Sequence, residues 1–178
     1  RGPARVVLRT GRPSPTDLDF ARLRGEDLKA DLFGRDFTIN AMAVDDKRHL
    51  VDPLEGRADL VAQRIRGTRR ATFADDPVRL LRGVRLEREL QFRIEPLTED
   101  WIRADAPLLV NAAAERIRDE VVRGLGLPAA SSFIQRLDQL EILAHIFPEI
   151  TRLQGVEQSH PHRFDVWAHT LRVLDNVD

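Results

Sequence analysis

The sequence predicts an α+β chain, with short strands in residues 1–70 and a bundle of helices after them. Two observations carry this. Before residue 68 the apolar residues come in short runs punctuated by Gly, Pro and Asp, which is strand-and-turn patterning. From Phe73 onward they recur at three- and four-residue intervals, which is the period of an amphipathic helix. The switch near residues 68–74 is the expected domain boundary, with a second helical segment over 71–150 and a further one over 151–178.

The elements follow in order. Arg5–Arg9 is a short apolar run, and a Gly-Arg-Pro-Ser-Pro turn separates it from the alternating stretch Leu18–Leu23; two strands joined across a turn is the simple reading. Asp27–Phe37 reads as a short helix, Ile39–Val44 as a buried strand, and Leu50–Val51 as its partner across the polar turn Asp45–His49. Gly56 breaks the chain, Ala58–Ala62 makes a helical turn, and Arg64–Gly67 reads as a last strand. Asp76-Pro77 then starts a helix, the aspartate as N-cap and the proline at the first helical position, with Leu80, Leu81 and Val84 on one face. Glu95–Ala104 is the next helix. Asn111 is placed to cap a third, in which Ile117, Val121 and Leu125 recur every four residues and Gly124 and Gly126 end it. Ala129–Leu140, Ile142–Phe147 and Asp165–Val177 continue the pattern.

Composition narrows the function. The chain has 178 residues, 42% hydrophobic and 32% charged, enough to bury a real core. It has no apolar run long enough for a membrane span. Cysteine is absent, which excludes disulfides, thiolate metal sites and cysteine nucleophiles; a reducing cytoplasm is the expected setting. A net charge of −1 gives no overall attraction to nucleic acid, but arginines cluster at Arg64, Arg66, Arg69 and Arg70 and again at Arg79, Arg82, Arg85 and Arg88. Taken alone, such clusters read as a solvated face; on a folded surface they can also form an RNA-facing patch.

Four segments carry chemistry: Leu18–Val44 (LDFARLRGEDLKADLFGRDFTINAMAV), Asp52–Leu60 (DPLEGRADL), Asp75–Arg85 (DDPVRLLRGVR) and Glu115–Glu120 (ERIRDE). Read as residues, Asp17 and Asp19 are alternating acids on a strand, and Arg35-Asp36 is a local ion pair. Asp75, Arg79 and Arg82 share one helix face at i, i+4 and i+7. In this order and at these separations the four segments resemble the class II tRNA nucleotidyltransferases (CCA-adding enzymes) and bacterial poly(A) polymerases, over residues 16–125.

The resemblance implies the rear part of a nucleotidyltransferase palm over residues 1–70, followed by an all-helical neck and body. It implies transfer of CMP or AMP from CTP or ATP to an RNA 3′ end, tRNA above all, with Mg²⁺. Asp19 aligns with the family's third metal-binding carboxylate; the glycine loop and the principal aspartate pair are expected upstream of Arg1. Gly34-Arg35-Asp36 with Asn40 resembles the Arg-Arg-Asp-x-x-x-Asn motif that contacts the sugar and selects ribose through its 2′-hydroxyl, with Gly34 in place of the first arginine. Asp75-Asp76-Pro77-Val78-Arg79 resembles the Glu-Asp-x-x-Arg motif that reads the base. A carboxylate accepts from the exocyclic amine of C or A, an arginine fork donates to ring acceptors, and a carbonyl at the amine's position (U or G) meets the carboxylate as a second acceptor. Arg82 and Asp75 support that pair. Asp52, Gly56, Arg57 and Asp59 resemble the hinge between palm and neck, Gly56 supplying backbone freedom, and Glu115-Arg116-Ile117 a neck-helix motif that steadies the base-reading helix.

His160, His162 and His169 lie close in sequence, but their spacing is not that of a closed zinc site. Asp165–Leu171 resembles the opening helix of an HD phosphohydrolase domain. The chain begins without methionine and ends inside a helical pattern, so the expectation is a fragment, inactive by itself. A poly(A) polymerase, a non-catalytic RNA- or nucleotide-binding module, part of an HD phosphohydrolase and a purely structural helical domain stay open as other readings; the oligomeric state is open too.

Overall fold

The computed structural model describes residues 4–8, 16–157 and 164–176, the first of these and 16–19 by backbone alone. It is an α+β chain, as the periodicities predict. Strand β1 (Ala4–Leu8) pairs antiparallel with β2 (Thr16–Phe20), placing Arg5 opposite Asp19. Helix α1 (Leu28–Phe33) is capped by Asp27, whose carboxylate accepts from the Ala30 amide at 2.7 Å. Next come the two-residue strands β3 (Ala43–Val44) and β4 (Leu50–Val51), paired antiparallel, helix α2 (Gly56–Val61) and strand β5 (Arg64–Ile65).

The helices follow: α3 (Thr72–Asp75), α4 (Val78–Leu90), α5 (Pro96–Asp105), α6 (Ala114–Leu125), α7 (Ala130–Gln139), α8 (Leu143–Ile146), α9 (Pro148–Thr151) and α10 (Val166–Leu174). Strand β6 (Arg93–Ile94) lies between α4 and α5 and pairs parallel with β5. Two residues have no period to read, which is why β6 is invisible in the sequence.

Several expectations are corrected. Ile39–Val44 is not one strand: Thr38–Asn40 form a 3-10 turn and only Ala43–Val44 is extended. The side chains at each end of that turn bond nearby carboxylates, Thr38 to Asp59 and Asn40 to Asp36, and such local capture competes with a sheet ladder. Asp76 precedes α4 in extended geometry with Pro77 the first residue in helical geometry, as a cap should, but its carboxylate goes chiefly to Arg116 rather than to the helix amides. Asn111 ends a 3-10 segment, Ala106–Asn111, and α6 starts from Ala113 without a side-chain cap. Gly124 lies inside α6 and only Gly126 closes it; a Cβ at position 124 would sit 2.3 Å from Phe133 Cζ.

Among the described residues one core runs from Phe37 to Leu171. Phe37 and Phe73 meet with ring centroids 6.1 Å apart. Around them Ile65, Leu80, Leu81, Val84, Ile102, Leu109, Phe133, Leu137, Leu140 and Ile142 are buried. Leu80, Leu81 and Val84 are the face read from the sequence. Gly83, on the same helix, lets Phe37 approach: a Cβ there would lie 2.9 Å from Phe37 Cζ. The core thereby locks the residues around Phe37 to α4, and this contact positions the site.

Candidate nucleotide-binding site

The turn after α1 and the first half of α4 enclose a cleft of about 660 Å³, lined by Arg22, Arg24, Asp31, Arg35, Asp36, Asn40, Arg79 and Arg82, with Ala21 and Leu23 at its edge. Its floor is Asp36, which is buried. One carboxylate oxygen accepts from the Phe37 amide at 2.8 Å and from Asn40 Nδ2 at 3.2 Å; the other takes Arg82 Nη1 at 3.0 Å. Two motifs more than forty residues apart thus meet at one carboxylate. Arg82 is held from behind by Glu120 of α6, which is buried and also takes Arg85 Nε at 2.7 Å. Burial works against the charge of Arg82, but Asp36 and Glu120 outweigh it and hold the guanidinium above its ordinary pKa.

Arg79 is almost wholly buried. Nη1 donates to Thr72 Oγ1 at 2.8 Å, Nη2 to the Gly34 carbonyl at 3.0 Å, and Nε lies 3.7 Å from Asp76. Burial is the main cause that lowers its pKa. Asp76, behind Arg79 and not itself lining the cleft, is gripped by both terminal nitrogens of Arg116 at 2.9 and 2.8 Å. Burial pushes the Asp76 carboxyl up, yet the Arg116 fork, the Arg79 charge and a smaller effect of the Val78 amide carry it below the usual range. Asp75 is not part of this group. It ends α3 rather than continuing α4, and it pairs with Arg69 on the exposed side.

Asp31 is the residue that sequence reasoning missed. It is buried at the cleft's edge, accepts the Arg24 amide at 2.8 Å, and takes Arg35 Nε and Nη2 at 3.2 and 3.0 Å. Its carboxyl is raised by burial but lowered overall by those donors. Its one sequence signal is the i, i+4 spacing to Arg35. Thr72, which receives Arg79 and donates to the Arg35 carbonyl at 3.2 Å, had no signal at all.

The segment expected as a hinge is pinned. Asp52 accepts the amides of Gly56 and Arg57 at 2.7 and 2.9 Å. Asp59 is fully buried and accepts Thr38 Oγ1 at 2.6 Å and the Nε atoms of Arg64 and Arg66 at 2.7 Å each. Gly56 is needed for closeness rather than freedom: a Cβ there would lie 2.1 Å from the Thr38 carbonyl oxygen.

Asp19 lies on β2, its side chain outside the described residues, as are His160 and His162; His169 lies on α10. Among the described residues no three His, Cys, Asp or Glu side chains group to hold a metal ion. No helix among them is long and apolar enough to cross a membrane.

Comparison with known proteins places the chain in a family. Residues 9–66 match the poly(A) polymerase head domain, and residues 91–153 match the probable RNA- and SrmB-binding site of polymerase A. A CC-adding tRNA nucleotidyltransferase of Geobacter sulfurreducens is 44% identical over 148 residues, 83% of this chain and 34% of that protein. A multifunctional CCA protein of Methylococcus capsulatus is 42% identical over 157 residues, 84% of this chain and 37% of the other. The structure of the Thermotoga maritima CCA-adding enzyme complexed with tRNA superposes with a TM-score of 0.73 at 32% identity, covering 89% of this chain and 37% of that one. The fold is shared with those tRNA-processing proteins. The chain belongs to the class II tRNA nucleotidyltransferase and poly(A) polymerase family, and it spans about a third of the length of the curated relatives it matches.

Proposed function

We propose that this chain supplies the nucleotide-selecting part of an enzyme that adds CMP or AMP, from CTP or ATP, to the 3′ end of tRNA. The observation that carries the reading is the meeting of Asp36, Asn40, Arg79 and Arg82 in one cleft of nucleotide size, with Asp76 paired to Arg79. Asp36 presents an acceptor for the ribose 2′-hydroxyl, its position set by Asn40 and Arg82. Arg79, with Nε and part of Nη2 unspent, donates to ring acceptors of the base. Asp76 keeps second lone pairs on both oxygens while bound by Arg116, and these accept an exocyclic amine. Uracil and guanine would bring a carbonyl there instead and leave two acceptors facing each other.

Residues 1–70 act as the rear of the palm, 71–150 as neck and body, and 151–178 as the start of a further helical unit. Asp52, Gly56, Arg57 and Asp59 set the angle between the first two. Asp19 contributes to a Mg²⁺ site whose other ligands lie outside the described residues, and the work is done in the cytoplasm. RNA approaches along the arginine-rich helices.

The test is a binding titration on the full-length protein with CTP, ATP, UTP and GTP. CTP and ATP should bind in preference to UTP and GTP, and Asp76→Ala and Arg79→Ala should abolish the preference. Equal binding of all four by the wild type would leave Asp76 as a structural ion pair.

A further inference from the structure

Five arginines line the cleft against two aspartates, an excess of three positive charges. Three are committed: Arg35 to Asp31, Arg82 to Asp36 and Glu120, Arg79 to Thr72, Gly34 and Asp76. Arg22 and Arg24 are exposed on the rim, and neither guanidinium has a hydrogen-bond or ion-pair partner among the described residues. Arg24 differs from its neighbour in being held. Its backbone N–H donates at 2.8 Å to Asp31, a carboxylate only 4% exposed, and the other oxygen of that carboxylate fixes Arg35. The buried acid therefore ties the Arg24 loop and Arg35 to one anchor. Arg24 lines the same cleft as Asp31 and Arg79.

We propose that Arg24, positioned through its backbone by Asp31, binds the polyphosphate of the incoming nucleoside triphosphate. The inference rests on the nucleotide-cleft reading above and extends it to a residue that none of the four sequence motifs assigns. A cleft of about 660 Å³ suits a single nucleotide. Its sugar-facing groups sit on the Asp36 side and its base-facing groups at the Arg79–Asp76 pair, which leaves the Arg24 rim for the phosphates. A guanidinium without a protein partner, on a backbone fixed by a buried acid, gives up no ion pair on binding an anion and presents a fork matched to phosphate oxygens.

The experiment measures binding of CTP, CDP and CMP, and separately of tRNA, to full-length wild type, Arg24→Ala and Arg24→Lys. Arg24→Ala should weaken CTP by about tenfold or more, the worth of a charge-assisted hydrogen bond, CDP less, and CMP hardly at all. Arg24→Lys should recover part of the loss, and the preference for CTP over UTP should persist in both. Equal losses for CTP and CMP, or none, would overturn the assignment; so would a loss confined to tRNA, which would give Arg24 to an RNA phosphate. A wild type that binds CTP and UTP alike would end the base-reading proposal, yet a phosphate-graded loss in Arg24→Ala would still support this one. A wild type that binds no nucleotide would end both.

Discussion

Replacing Asp59 with asparagine keeps the shape of the side chain and removes its charge. In the wild type the carboxylate is fully buried and accepts from Thr38 Oγ1, Arg64 Nε and Arg66 Nε at 2.6–2.7 Å. The amide keeps one oxygen, so one arginine stays satisfied, while its NH₂ is turned on the other donor. Breaking a buried ion pair costs about 3–5 kcal/mol. Arg64 and Arg66 keep 46% and 29% of their side-chain surface in water, so part of their charge is re-solvated and the expected loss is about 2–4 kcal/mol. Acid adds a second signature. Burial tends to raise the Asp59 carboxyl, but Thr38, Arg66 and Arg64 lower it below its ordinary value of 3.8. A carboxyl depressed by folding contributes stability that is complete above 3.8 and is lost as pH falls through the folded-state value. Urea unfolding at neutral pH and at successive steps below pH 4 reads both effects. Asp59→Asn should unfold at lower urea with an unchanged m-value and lose less on acidification than the wild type. A loss under about 1 kcal/mol, the worth of a surface pair, together with an unaltered acid slope, would refute the argument that this carboxylate anchors the proposed hinge.

Gly56→Ala should destabilise more than a usual point change, by about 3 kcal/mol or more, because its Cβ meets backbone at 2.1 Å; thermal unfolding checks it. Gly124→Ala should cost about 1–3 kcal/mol through overpacking on Phe133, and Phe133→Leu in the same chain should recover part of that. Arg116→Ala should cost only about 1 kcal/mol of stability, since half of Arg116 is exposed, but it should cut the CTP-over-UTP preference severalfold in a binding titration by freeing Asp76. Asp36→Ala should narrow the preference for CTP over dCTP by about tenfold, the worth of one hydrogen bond to a charged group.

The helical half was legible because its apolar residues repeat over several turns: Leu80, Leu81 and Val84 were read as a buried face and are one. The strand half was legible only in outline. Its elements are two residues long in β3 to β6, and no periodicity survives over two residues. Within the site, Asp36, Asn40, Arg79 and Arg82 stood out because they keep recognisable spacing inside motifs. Asp31, Thr72 and Glu120 did not, because their importance comes from what folding brings to them. Glu120 meets Arg82 across 38 residues and Thr72 meets Arg35 across 37. Asp76 was legible in part: next to Pro77 it reads as a cap, and only the fold reveals that Arg116, 40 residues on, also claims it.

These long-range partners have a common logic. Each residue proposed to touch the nucleotide is held by another side chain: Asp36 by Asn40 and by Arg82, itself held by Glu120, Arg79 by Thr72, Asp76 by Arg116. Recognition by the protein alone needs rigid donors and acceptors, because a flexible fork could turn to suit any base and would select none. Arg116 and Glu120 both come from α6, four residues apart, so one helix fixes both the base-reading and the sugar-facing ends of the cleft. A shift of α6 relative to α4 would move Asp76 and Arg82 together. Selectivity for base and for ribose should therefore be lost jointly by mutations in the α4–α6 contact, and separately by mutations of Asp76 or Asp36 themselves.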